Sequence, residues 1–94
     1  MTNPHDAEIA TVARKLAKTI DGHTQIMQQL AVIGKKIEDL LDNPESEKFD
    51  GMLGILARGA DTAAIISETI TNKIRFLSAT LRSLLDDKTE AENE

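Results

Sequence analysis

The chain has 94 residues, the size of one domain, and its lack of cysteine excludes a disulfide framework, a thiolate nucleophile and a zinc–thiolate site. Hydrophobic residues make up 40% of it, mostly Ala, Ile and Leu, with two Phe and no Trp or Tyr, a mix that favours helix over strand. The net charge of −5 is spread in blocks: residues 1–9 carry −2, 10–36 carry +4, 37–50 carry −5, 51–85 carry +2 and 86–94 carry −4.

The first element is a helix over 4–42. Ile9, Leu16, His23, Leu30 and Ile37 recur every seven residues, and Val12, Thr19, Ile26, Ile33 and Leu40 follow each by three. These are positions a and d of a heptad, a helical period sustained over five repeats. Ala13, Ile20, Met27, Gly34 and Leu41, at position e, are expected to widen the buried stripe. Asn3 has the chemistry of an N-cap, Pro4 suits the first helical position, and Asp6 and Glu8 suit the positive end of the helix dipole.

Pro44 disfavours helical geometry at Asn43, so a polar turn is expected over 43–48. A second helix then spans 49–87. Its seam is Leu53, Ala60, Ser67, Ile74 and Leu81 at a, with Leu56, Ala63, Ile70, Leu77 and Leu84 at d. Residues 88–94, rich in Glu, read as an acidic, frayed tail.

The pattern predicts an all-α fold: an antiparallel helical hairpin over 1–87, built from two long helices. Folded about the turn, Leu40 faces Leu53, Ile37 faces Leu56, Ile33 faces Ala60 and Leu30 faces Ala63. Gly34 falls opposite Gly59, where the backbones would approach closely. The strict heptad predicts a left-handed supercoil.

Two packed helices bury one side of each. Ile55, Ile65, Ile66 and Phe76 lie off the seam and would form an apolar strip in water. The expectation is a partner-binding flank, with two hairpins pairing into a four-helix bundle as a homodimer.

Other chemistry has little to stand on. His23, with Thr19 and Ser67, makes a polar layer in the seam that fixes register or responds to pH, or is simply a hydrogen-bonded histidine at the core edge. A Ser67–His23 dyad inside a narrow seam has no room for substrate, so no enzyme is expected. There is no Glu-x-x-His and no convergent ligand set, so neither metal nor cofactor is expected. Arg14, Lys15, Lys18, Lys73, Arg75 and Arg82 would form a basic belt able to take RNA or DNA phosphates. Small dimeric helical hairpins of the plasmid copy-number modulators hold RNA stem-loops with a comparable architecture, an analogy of fold alone. The segment Asp39-Leu40-Leu41-Asp42-Asn43-Pro44-Glu45-Ser46 resembles the Pro-containing turn of type III secretion needle subunits, which are also short hairpins. That resemblance implies a secretion-system filament subunit or chaperone. The acidic end from Asp86 departs from the apolar terminus of those subunits.

No apolar run approaches the ~18 residues of a membrane span. Met1-Thr2-Asn3-Pro4-His5-Asp6 lacks the basic-then-apolar order of a signal peptide, so a cytoplasmic location without membrane contact is expected. The functional expectation is a small bacterial or mobile-element regulator or adaptor acting by protein–protein binding, with a nucleic-acid-binding dimer as the alternative.

Overall fold

The computed structural model describes residues 4–93 and consists of two helices, α1 (Pro4–Leu41) and α2 (Phe49–Asn93), packed as a hairpin. No strand occurs among the described residues. Asn3, the expected cap of α1, lies outside them.

The end of α1 follows from Pro44. With Asn43 held out of helical geometry, the final N–H groups turn to nearer acceptors. Asp42 N–H donates to the Asp39 carbonyl at 3.3 Å and Asn43 N–H to the Leu40 carbonyl at 3.0 Å, the tightening of a last turn. Ser46 lies in the turn that leads into α2. Its hydroxyl accepts from Lys48 N–H at 3.3 Å, and its carbonyl accepts from Phe49 N–H at 3.0 Å. A serine hydroxyl bonded two residues on closes a local turn, and the first helical bond of α2 runs from Met52 N–H to the Lys48 carbonyl at 2.9 Å.

The far end of α2 differs from expectation. The helix runs to Asn93 instead of stopping at Asp87. Two interactions hold the extra length. Thr89 Oγ1 donates to the Leu85 carbonyl at 3.0 Å, and Lys88 Nζ lies 2.7 Å from an Asp6 carboxylate oxygen on α1. The acidic segment is therefore helical through its described residues.

The chain divides into two units. One joins α1 up to Gly22 with α2 from Ile70 onward; the other runs from His23 to Thr69. In each, every a and d residue from Ile9 to Leu40 and from Leu53 to Leu84 is at least half-buried, as the heptad demands. Ala63 and Leu77 are the only described hydrophobic residues that are buried, at 5% and 7% exposure.

Two packing expectations are corrected. The e positions widen the buried stripe only at Ala13, which is half-buried: Gly34 is exposed, and Ile20, Met27 and Leu41 are 46%, 47% and 59% exposed. With a single neighbouring helix, the contact is wide enough for the a/d ridge and, at e, for a residue as small as Ala13. Nor do Gly34 and Gly59 form a close backbone crossing. A Cβ at Gly34 would meet nothing within 4 Å, whereas one at Gly59 would lie 3.6 Å from Ile33 Cδ1. Position e turns Gly34 outward, and Ile33 fills the space in front of Gly59.

Candidate functional site

Three places in the hairpin carry side chains that the seam does not consume. The first is the polar layer. Ser67 Oγ and His23 Nε2 are 3.2 Å apart, and the pair is part-buried. The hydroxyl donates to an unprotonated Nε2 or accepts from a protonated one. Thr19 takes no part in the layer, since its hydroxyl donates to the Lys15 carbonyl of its own helix at 2.7 Å. Among the described residues His23 has no carboxylate partner, so the pair lacks the orienting group that a nucleophilic triad uses. A histidine with one hydroxyl partner in a half-open seam satisfies its own polarity and marks the register of the two helices.

The second place is apolar and lies in the unit from His23 to Thr69. Ile55, Ile65 and Ile66 are 62%, 59% and 41% exposed. Helical geometry puts Ile55 and Ile66, eleven residues apart, within about 20° of one another, with Ile65 about 80° from Ile55. Ile55 and Ile66 line one groove with Gln29, Ile33 and Gly59, and Ile55 lines another with Lys36, Leu40 and Met52. Val32 and Met52, which the sequence reading left out, belong to the same flank and are also exposed. Their signal was present: Met52, Ile55, Gly59, Thr62 and Ile66 follow a second 3–4 spacing, at positions g and c, beside the a/d seam. Phe76, at 71% exposure, lies on α2 in the other unit.

The third place is the basic set in that other unit. Lys15, Lys18 and Lys73 line a common groove with Thr19, Gly22 and Ile70. Arg14, Arg75 and Arg82 do not line it. Lys73 and Arg75 are two residues apart and so about 200° around α2 from each other. The belt thus resolves into a three-lysine groove and separate arginines. None of the six cations forms an ion pair with a described residue. The ion pair Lys35–Asp39, at 3.9 Å, is an exposed contact within α1.

Among the described residues no group of three or more His, Cys, Asp or Glu side chains is placed to hold a metal ion. No described helix is long and apolar enough to cross a membrane. The chain matches no family model, no curated protein and no solved structure.

Proposed function

We propose that this chain is a non-enzymatic helical interaction protein, a small cytoplasmic regulator or adaptor of bacterial or mobile-element type that works by protein–protein binding. Its hairpins self-associate, with two hairpins forming a four-helix bundle as the smallest assembly. One observation carries this reading. Only two described hydrophobic residues are buried, while Ile55, Ile65, Ile66 and Phe76 stand open to water. A lone pair of helices has no further layer to cover such side chains, and a second copy supplies one. Each large apolar side chain is worth roughly 1.5–3 kcal/mol when fully buried, so covering the open part of these four contributes several kcal/mol. That is comparable with the whole stability of a small domain.

Ile66→Glu places a charge on the flank without entering the seam. Sedimentation should show the wild-type chain associating and the Ile66→Glu chain reduced to a monomer of lower helicity. A wild-type chain that remains monomeric would contradict self-association.

A second reading rests on the three-lysine groove. Lys15, Lys18 and Lys73 converge without acidic partners, which suits phosphate oxygens of RNA or DNA. Binding through them should weaken steeply with salt and fall with Lys73→Glu, whereas association through the apolar flank should be little affected by salt.

A further inference from the structure

In the unit that joins α1 up to Gly22 with α2 from Ile70, the three-lysine groove has an aromatic neighbour. Lys73 holds position g of α2, and Phe76, three residues on, holds position c. Helical geometry sets the two about 60° apart around the axis and about 4.5 Å apart along it, so they are neighbours on one side of the helix. Phe76 is 71% exposed, more than any other large hydrophobic residue described. On α1, Lys15 and Lys18 hold the same two heptad letters. No acid lines the groove, and a Cβ at Gly22 would meet nothing within 4 Å, so the groove stays open there.

The site therefore joins three cations to a flat apolar face. An unpaired nucleotide carries the complement of both, a phosphate and a base whose faces are free. Stacking on an aromatic ring accepts any base, because every base has a π-face. A duplex keeps its base faces inside the stack and offers the groove phosphate alone. The charge around the groove works in the same direction. Glu8 and Asp87, at position g toward the free ends of the two helices, and the net charge of −5 repel phosphates that extend beyond the lysines. A rigid duplex meets that repulsion along its length, whereas a flexible strand crosses at the lysines and leaves. We infer that this groove takes a single-stranded nucleic acid, its phosphates on Lys15, Lys18 and Lys73 and an unpaired base stacked on Phe76. This rests on the phosphate reading of the groove given above and adds the base to it.

The chain contains no Trp, so Phe76→Trp gives a full-length protein whose one tryptophan stands at the site. The probes are short oligouridine and oligothymidine strands and a DNA duplex of the same length, at low salt. At least one strand should bind and quench the tryptophan, and the two arms show which sugar is preferred. Phe76→Leu keeps an apolar side chain and removes the ring. It should weaken strand binding roughly five- to a hundredfold, while Phe76→Trp binds as tightly as the wild type. The duplex should bind more weakly than the strand, with an affinity that Phe76→Leu does not move. Strand binding that Lys73→Glu abolishes but Phe76→Leu leaves unchanged, or that leaves the tryptophan unquenched, would overturn the stacked base and spare the phosphate reading. A duplex bound as tightly as the strand would do the same. A chain that binds neither strand nor duplex would remove both. Phe76→Leu should also sediment as the wild type does; a lower mass would assign Phe76 to the contact between copies and overturn its place in this site.

Discussion

Leu77 and Leu30 occupy different heptad letters in different units, and Val32 sits on the outside of α1; together they test the frame one side chain at a time. Leu77 is buried at 7% exposure, Leu30 is half-buried and Val32 is 53% exposed. Leu77→Ala should cost about 2–5 kcal/mol, the range for truncating a buried leucine. Leu30→Ala should cost less than that, and Val32→Ala under about 1 kcal/mol. Urea melts of the three variants check the order; equal losses at Leu77 and Val32 would contradict the a/d seam. At this scale the sequence was readable wherever period alone decides. His23 and Ser67 meet because both hold position a at matching depth along an antiparallel pair. Gly34 was misread because a missing side chain says nothing about direction. Its neighbour Ile33, with a side chain to place, takes the seam, and Gly34 turns outward.

At the scale of the elements, the end of α1 follows from proline chemistry that short-range rules capture. The bond from Lys48 N–H to the Ser46 hydroxyl is not legible in the polar turn, because only the fold brings that hydroxyl within reach. The last turns of α2 were missed for another reason. Composition marked them as acidic and polar, yet the heptad continues through Lys88, seven residues after Leu81. Lys88 is half-buried and meets Asp6 across the hairpin at 2.7 Å. Both side chains remain partly in solvent, so the ion pair is worth only about 0.2–1 kcal/mol. Lys88→Ala should therefore lower global stability by less than about 1 kcal/mol. It should also speed amide hydrogen exchange over the final turns of α2 and leave the turns near Ala63 protected. Unchanged exchange at that end would show that the helix there does not depend on Asp6.

At the scale of the whole molecule, the two-helix hairpin was legible from ten seam residues on each helix, because a period of seven leaves few other ways to bury them. The surface was legible only in part. Ile55, Ile65, Ile66 and Phe76 are recognisable as surplus to the seam, and the second 3–4 spacing through Met52, Ile55 and Ile66 aligns part of them, whereas the grooves they line are a matter of the fold. Ile55 lines one groove with Met52 and another with Ile66, Val32 lines a third, Ile65 lies around the helix from Ile55, and Phe76 belongs to the other unit. The six cations likewise read as one belt, although only Lys15, Lys18 and Lys73 share a groove. Charge and hydropathy along a chain do not reveal which side of a helix faces the gap beside its neighbour.

If the open flanks are covered by further copies, folding and association are linked, and mass action must appear in the melt. The direct measurement is thermal unfolding followed by circular dichroism over a hundredfold range of protein concentration, with sedimentation equilibrium on the same samples. The melting temperature should climb with concentration while the average mass exceeds that of a single chain. A well-folded monomer at ~100 μM, with a melting temperature that does not move with concentration, would contradict the self-associating hairpin.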